Sequence, residues 1–219
     1  MTVPSTPKRF GVLGSGEVGQ ALAKGLATNG YEVRIGTSTP GKLAQFTRST
    51  GIREGNFQEV AAWAEAAVLA VLGTAALDAV TLAGPDNLAG KLVIDTTNPI
   101  TNEPPEDGVL RSFTGPNESL MERLQAAHPR IAFVKAFNSV GSDLMLHPIL
   151  NGGPPTMFYC GNDAPAKAVV AKILEQFGWD AADMGGVVAA RAIEPLAQLW
   201  CIPGFREDDW THAFRMLQP

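Results

Sequence analysis

The chain contains little of several residue types on which common protein classes depend. Among its 219 residues are 17 lysines and arginines against 22 aspartates and glutamates, a net charge of −5. Because nucleic acids and anionic membranes attract basic surfaces, this balance argues against both as partners. Only two cysteines and three histidines are present, and neither set has the spacing of zinc ligands. We therefore expect no disulfide framework and no bound metal.

Long apolar runs are also missing. The longest candidate, over residues 61–80, is interrupted by Glu65, Gly73 and Asp78, and a membrane-spanning helix needs about 20 consecutive apolar residues. Residues 1–9 are polar and are not followed by the apolar segment of a secretory signal. We therefore expect a cytoplasmic protein. A hydrophobic content of 45% still supports a packed core of about one domain.

Strand and helix patterns alternate along the chain. Strand patterns cover residues 8–13, 31–36, 51–53, 67–72, 91–95, 131–136 and 156–160, and helical patterns cover 17–29, 40–49, 57–65, 119–127, 164–177 and 187–200. Several of the strands are continuous apolar runs, which is typical of strands buried on both faces. This order predicts an α/β fold of the Rossmann type, with a doubly wound, mainly parallel sheet and a small C-terminal helical elaboration. The irregular stretch 99–116 is expected to be either disordered or functional, for instance as a lid.

A glycine-rich turn lies between the first strand and the first helix. It has the G-x-G-x-x-G pattern of a dinucleotide-binding turn and consists of Gly14, Ser15, Gly16, Glu17, Val18 and Gly19. In such turns the first glycine permits a tight bend, the second lets the backbone approach a pyrophosphate, and the third lets the helix pack closely on the strand. We therefore predict a dinucleotide-binding core over residues 1–160, with residues 161–219 completing the same domain and providing a dimer contact.

The segment after the second strand is expected to select the cofactor. An acidic residue there would bind the ribose 2′-hydroxyl of NAD, but this chain has Thr37, Ser38 and Thr39, followed by Lys42. Hydroxyls and a lysine can bind a 2′-phosphate, and Pro40 would begin a helix for which Thr39 is the N-cap. The sequence therefore favours NADP(H) over NAD. The alternative is that these residues form only a polar turn.

Other polar residues follow later strands at the same edge of the sheet. Asn98 could bind a ribose or a carboxamide, or it could close a turn with the proline that follows. Lys135 and Asn138 end the next strand, although Lys135 could also be a buried stem with its amine at the surface. The full set of predicted cofactor-binding residues is Gly14, Ser15, Gly16, Glu17, Val18, Gly19, Thr37, Ser38, Thr39, Lys42, Leu72, Gly73, Asn98 and Asn138. No catalytic residue can be assigned.

The C-terminal helical pattern is apolar on nearly all sides. Within residues 187–200 only Arg191, Glu194 and Gln198 are polar. Glu194 is expected to pair locally with Arg191 or to face an interface. Because a helix that is apolar all round must be covered all round, we expect a homodimer in which Leu196, Leu199 and Trp200 contact the partner. Alternatively, residues 203–219 fold back over the helix with Phe205, Trp210 and Phe214 as the cover.

Four segments together resemble a known enzyme family. They are GVLGSGEVGQALAKGLATNGYEVRIGTSTP, VIDTTNPI, VKAFNSVG and RAIEPLAQLW. In this order and over nearly the whole chain, they resemble the NADP oxidoreductases that depend on the deazaflavin coenzyme F420. The resemblance implies a single Rossmann domain, hydride exchange between NADPH and the deazaflavin, and a homodimer. It places dinucleotide contacts at 14–18, Thr37, Ser38 and Lys42. Relatives that use NADP often have arginine where this chain has Ser38, which weakens the predicted preference for NADP.

Three functions fit these observations. The first is an NADP(H)-dependent oxidoreductase that transfers a hydride between NADPH and a small-molecule redox acceptor, either coenzyme F420 or a flavin-like compound. The second is an NADPH-dependent reductase of a small carbonyl or imine, with Lys135 or Asn138 orienting the substrate. The third is a non-catalytic, NADP-binding redox sensor. Hydride transfer between two ring systems depends on stacking and orientation, so it does not require an evident acid or base.

Overall fold

The computed structural model describes residues 6–217. Residues 1–5, which belong to the segment expected to lack a targeting signal, and residues 218–219 of the C-terminal elaboration lie outside the described residues. The strands are β1 (Arg9–Leu13), β2 (Glu32–Gly36), β3 (Arg53–Gly55), β4 (Ala66–Leu69), β5 (Leu92–Asp95), β6 (Ala132–Lys135), β7 (Thr156–Gly161) and β8 (Asp180–Asp183). The helices are α1 (Glu17–Thr28), α2 (Ala44–Thr50), α3 (Phe57–Trp63), α4 (Ala76–Ala83), α5 (Pro85–Leu88), α6 (Leu120–Ala127), α7 (Ala164–Gln176), α8 (Ala190–Ile193) and α9 (Pro195–Glu207).

The strands between residues 6 and 217 form one sheet in the order β3-β2-β1-β4-β5-β6-β7-β8. All pairs are parallel except β6 and β7, which are antiparallel. The strand order reverses direction beside β1, where β2 lies on one side and β4 on the other. Ligands bind at such a switch point in open α/β sheets. The predicted Rossmann-type, mainly parallel fold is confirmed.

Helices cover both faces of the sheet and form two hydrophobic cores. On one face, α1 and α7 pack on alternate strand residues, among them Phe10 and Val12. On the other face, α3, α4 and α6 pack on the intervening residues, such as Leu13 and Leu69. This alternation follows from strand geometry, in which successive side chains point to opposite faces. Each fully buried large apolar side chain contributes roughly 1.5–3 kcal/mol to the stability of the fold. The cores on both faces therefore stabilise the sheet, and the turns at its carboxyl edge extend from a rigid support.

Three elements were not predicted from the sequence: α4, α5 and β8. The buried positions of α4 follow the helical spacing, as Ala76, Ala79, Val80 and Ala83. The expected domain division at residue 160 falls inside β7, one residue before its end, and β8 extends the same sheet. None of the helices within residues 6–217 combines the length and the apolar character that a bilayer span requires.

The C-terminal helical region continues beyond its predicted end. A short 3-10 turn, α8 and α9 follow one another with Pro195 at the start of α9, and α9 ends only at Glu207. The following segment folds back over Trp200, which is buried. The Trp200 indole N–H donates to the His212 carbonyl oxygen at 2.7 Å, and the His212 ring stacks on the indole with centroids 5.3 Å apart. Trp200 is therefore covered by its own chain and is not available to a partner.

The long irregular stretch is ordered by backbone contacts. The Thr101 N–H donates to the Arg111 carbonyl oxygen at 2.9 Å, and the Phe113 N–H donates to that of Pro99 at 2.8 Å. Two isolated bridges, Ile100–Ser112 and Glu106–Val109, complete an irregular hairpin. Its first residues reach the carboxyl edge of the sheet, so this segment contributes to the site described next.

Candidate functional site

A cleft of about 560 Å³ opens at the carboxyl edge of the sheet, at the switch point beside β1. Its lining comes from the turns after β1, β2, β4 and β5, from the first residue of α3 and from the irregular hairpin. The lining residues are Gly14, Ser15, Gly16, Glu17, Val18, Ser38, Lys42, Phe57, Ala70, Val71, Leu72, Gly73, Thr96, Thr97, Asn98, Ile100, Thr101 and Asn102. Most of the residues predicted from sequence to bind a cofactor are therefore brought together here.

The three glycines of the first turn have different surroundings. Gly14 has a φ of +139°, and a Cβ there would lie 1.9 Å from the Ala70 carbonyl oxygen. A Cβ at Gly19 would lie 2.2 Å from the Gly14 carbonyl oxygen. Gly16 has no protein atom within 4 Å of its Cβ position, and it lines the cleft. The fold itself thus requires Gly14 and Gly19, whereas the space at Gly16 is left open to a ligand.

The N-terminus of α1 points its backbone donors toward this open space. Gly16 is the N-cap, and no side chain caps this helix end. The first N–H groups of a helix have no acceptor within the helix, and they carry a partial positive charge. A pyrophosphate fits such a position through both hydrogen bonds and charge. The Glu17 side chain is exposed at the mouth of the turn, so its carboxylate remains in solvent.

The turn after β2 differs from the prediction. Helix α2 begins at Ala44 with Leu43 as its N-cap, so Thr39 is not an N-cap and Pro40 does not begin the helix. The Thr37 hydroxyl is buried and accepts a hydrogen bond from the Thr39 N–H at 3.1 Å, which closes a tight turn instead. Thr37 and Thr39 do not line the cleft, whereas Ser38 and Lys42 do.

Leu72 and Gly73 follow β4 at the centre of the cleft. A Cβ at Gly73 would lie 1.8 Å from the Asn98 carbonyl oxygen, so glycine is needed for this close approach of two turns. Leu72 is 69% exposed in this site. The exposed Leu72 side chain, next to the close contact between the turns of Gly73 and Asn98, offers an apolar surface on which a planar ring can stack. Asn98 lines the same part of the cleft.

Asn138 lies behind the cleft rather than in its lining. Its side-chain N–H donates to Asn98 Oδ1 at 3.0 Å and to the Ile193 carbonyl oxygen at 3.1 Å, while the Asn98 side chain donates to the Asn138 carbonyl oxygen at 2.8 Å. Asn138 is buried and orients Asn98, so the structure places it behind the lining, and a direct contact with the cofactor stays a prediction. The preceding Phe137 has a φ of +61°, a conformation unfavourable for a bulky residue.

Lys135 is fully buried beneath the cleft and does not reach the surface. Its ammonium lies 2.7 Å from Asp95 Oδ2 and 2.9 Å from Glu194 Oε1, and it donates to the Thr97 carbonyl oxygen at 2.6 Å. Burial alone would lower the pKa of Lys135, but the carboxylates of Asp95 and Glu194 outweigh it and raise that pKa. Both predicted roles of Lys135 are therefore wrong. Its charged amine is enclosed by protein groups, so it neither reaches the surface nor contacts a substrate in the cleft.

Glu194 and Arg191 do not pair with each other, so the first of the two alternatives predicted for Glu194 is wrong. Glu194 is buried and accepts hydrogen bonds from the N–H groups of Leu120 and Met121, the first residues of α6, at 2.9 and 3.0 Å. Two carboxylates, those of Asp95 and Glu194, surround the one ammonium of Lys135. The partial positive charge at the N-terminus of α6 stabilises the additional negative charge. Arg191 instead donates to Glu122 at 2.7–3.1 Å. Residues from the C-terminal helices thereby support the turn after β5.

Asp95 links this buried group to the cleft lining. Its Oδ1 accepts hydrogen bonds from the Thr97 N–H at 2.9 Å and from the Thr97 hydroxyl at 2.7 Å. Asp95 and Lys135 together fix the turn that carries Asn98, because Asp95 binds the Thr97 N–H and hydroxyl and Lys135 binds the Thr97 carbonyl oxygen. Sequence reasoning missed this role of Asp95, although an acid directly before a Thr-Thr pair is a typical signal of a side chain capping its own turn.

Other reactive residue types contribute nothing to the cleft. Cys160 is buried, and burial raises the pKa of its thiol to about 12. His128 ends α6, and burial lowers its pKa. In the part of the chain that the structure describes, no three His, Cys, Asp or Glu side chains are placed to hold a metal ion.

Comparisons with known proteins agree with this geometry. A model of the family described as NADP oxidoreductase, coenzyme F420-dependent, matches residues 9–99. A provisionally assigned F420-dependent NADP reductase of Arthrobacter sp. FB24 has a solved structure that is 32% identical, with a TM-score of 0.89, covering 97% of this chain and 100% of that chain. A reductive aminase of Aspergillus terreus, solved with NADPH4, is 18% identical with a TM-score of 0.63, covering 91% of this chain and 61% of that chain, and shares the fold.

One relative is longer than this chain. Metalloreductase STEAP3 of Rattus norvegicus is 31% identical over 206 residues, which are 92% of this chain. The chain spans 39% of that protein's length. The similarity to the Arthrobacter protein extends over nearly the whole chain. The family model matches the part that contains the glycine turn and the first five strands. Both findings indicate the same family. The chain belongs to the coenzyme F420-dependent family of NADP oxidoreductases.

Proposed function

We propose that this protein transfers a hydride between NADPH and a planar deazaflavin or flavin-like acceptor in the cleft. The observation that carries the proposal is the composition of the lining. Its only ionisable side chains are Glu17 and Lys42, on the turns after β1 and β2. The lining from the turns after β4 and β5 is apolar or carries neutral hydroxyls and amides. That part of the cleft can position rings, but it has no group to protonate a substrate.

The residues present fit a dinucleotide. The space at Gly16 and the uncapped N-terminus of α1 would hold the pyrophosphate, Ser38 and Lys42 would face the adenosine ribose, and Asn98 would face the nicotinamide end. When bound, NADPH supplies a hydride, and the acceptor takes it together with a proton from water. The protein's part is to orient Asn98 through Asn138 and to stack rings against Leu72 and Val71.

This lining also separates the proposal from reduction of a carbonyl or imine. Such substrates gain a proton on oxygen or nitrogen as the hydride arrives, and a positioned acid speeds that step. Lys135, at the end of β6, is enclosed by Asp95, Glu194 and the Thr97 carbonyl oxygen. It is therefore not placed to donate. The buried ammonium serves to hold the cleft in shape.

An acceptor screen tests the proposal directly. Purified protein and NADPH are mixed in turn with coenzyme F420, FMN, and a panel of small carbonyls and imines, and loss of NADPH absorbance is followed. We expect turnover with the deazaflavin or flavin and none with the carbonyls or imines. Turnover only with carbonyls or imines would overturn the acceptor class. Tight NADPH binding without turnover on any acceptor would support a redox sensor instead.

We also propose that the protein is a homodimer through α9. With Trp200 covered by the chain itself, the remaining apolar surface of this helix includes Leu199, 54% exposed, and Phe205, 46% exposed. Exposed apolar side chains on a helix favour burial against a second copy, since such interfaces are self-complementary.

A further inference from the structure

A carboxylate from a neighbouring strand lies against the turn expected to recognise the adenosine ribose. Glu54 is in β3, directly opposite Ile35 of β2. Its Oε1 accepts a hydrogen bond from the Gly41 N–H at 3.1 Å. Its Oε2 is buried and has no hydrogen-bond partner among the described residues. No acid ends β2, but the fold supplies one from β3.

The position of Glu54 places it next to the cofactor cleft. A second cleft of about 560 Å³ adjoins the first and is lined in part by Thr37, Ser38 and Glu54. Ser38 and Phe57 line both clefts, whereas Lys42 lines only the cofactor cleft. Ser38 therefore lies between the cleft that Lys42 lines and the cleft that Glu54 lines.

We infer that Glu54 is a specificity-determining residue that limits the preference for NADPH over NADH. The inference rests on the proposed placement of the cofactor. A 2′-phosphate at Ser38 would be attracted by Lys42 and repelled by Glu54, whereas a 2′-hydroxyl would carry no charge for either to act on. The carboxylate also occupies the Gly41 N–H, a backbone donor that a phosphate could otherwise use.

Among the described residues, no cation forms an ion pair with Glu54. Arg34, also on β2, is stacked over the Trp63 ring at 4.4 Å, and Glu59 is engaged in the capping box of α3. Ser38 is neutral, and residues 37–43 contain no cation other than Lys42. In the described lining of the cofactor cleft, Lys42 is the single cation. Its attraction for a 2′-phosphate is therefore opposed by the negative charge of Glu54.

The alternative role for Glu54 is purely structural, as a brace for the turn around Gly41. Glu54→Gln separates the two roles, because the amide oxygen can still accept from the Gly41 N–H while the negative charge is removed. Glu32→Gln is the matched control: it makes the same change on an exposed side chain at the opposite end of β2. Thermal midpoints of both variants establish that the fold is retained.

The test compares dissociation constants of NADPH and NADH, measured by cofactor fluorescence, in the wild type and both variants. We expect Glu54→Gln to bind NADPH about tenfold more tightly with NADH unchanged, and the gain to shrink as salt rises. Glu32→Gln should match the wild type. An unchanged ratio, or equal changes for both cofactors, would overturn the inference. Weaker NADH binding with NADPH unchanged would also overturn it, since Glu54 would then hold the ribose hydroxyl.

Two further variants separate failure of this inference from failure of the proposed site. Lys42→Ala and Gly16→Val should each weaken NADPH binding if the cofactor lies as proposed. If they do so while Glu54→Gln has no effect, the inference about Glu54 alone fails. If both bind NADPH like the wild type, the placement of the cofactor fails, and with it the basis for assigning Glu54.

Discussion

Gly16→Val should weaken NADPH binding while leaving the fold intact. The backbone at Gly16 has φ −77° and ψ −178°, which any residue adopts, and no protein atom lies within 4 Å of the Cβ position. Lower entropy of the unfolded chain stabilises such a variant by about 0.4–1 kcal/mol. The loss of glycine at a helix N-cap costs a similar amount. The two effects nearly cancel, so we expect the thermal midpoint to stay within roughly 3 °C.

Cofactor binding should respond differently, because the added side chain projects into the space reserved for the pyrophosphate. We expect the dissociation constant for NADPH to rise by at least about tenfold, which corresponds to roughly 1.4 kcal/mol. Fluorescence enhancement of NADPH measures the affinity, and a melt of the cofactor-free protein measures the stability. The two readouts together separate loss of a site from loss of a fold.

Two other glycines serve as controls for Gly16→Val. Gly115 also has open space around its Cβ position, but it does not line the cleft, so Gly115→Val should change neither readout. Gly14→Ala adds a Cβ 1.9 Å from the Ala70 carbonyl oxygen at a φ of +139°. It should cost at least about 2 kcal/mol and lower the midpoint by roughly 4–8 °C. A folded Gly16→Val protein with wild-type NADPH affinity would refute the placement of the pyrophosphate.

Three further predictions concern stability and assembly. Glu194→Ala removes a carboxylate that contacts Lys135 and the start of α6, and it should destabilise the protein by about 3–5 kcal/mol; a denaturant midpoint equal to the wild type's would contradict this. A hydrogen bond from Arg191 holds the pKa of Glu122 below its usual value, so its contribution is present above the unfolded pKa and is lost as pH falls through the folded pKa. The stability difference between wild type and Glu122→Gln should therefore shrink between pH 6 and pH 3 in urea titrations, and a constant difference would exclude the linkage. Leu199→Glu should convert a dimer into monomers by light scattering after gel filtration, and a monomeric wild type would remove the dimer proposal altogether.

The sequence by itself determined the features that depend on neighbouring residues. The alternation of apolar strands with helical patterns sets the doubly wound sheet, because each element must bury its own apolar face. The spacing of Gly14, Gly16 and Gly19 sets the turn at the head of α1, since each position has a local backbone requirement. Ser119 and Glu122, three residues apart in the sequence, form a capping box at the start of α6. These interactions join residues that are close in the sequence, so a short segment of sequence is enough to predict them.

The tertiary structure alone decided the contacts between residues far apart in the chain. A helix start at Thr39 and Pro40 was a sound local prediction, but Glu54 binds the Gly41 N–H and the segment forms turns instead. Lys135 was predicted to lie at the surface or in the cleft, yet Asp95 and Glu194 surround it. A buried charge is stable only beside partners that folding brings to it, and no local pattern specifies those partners.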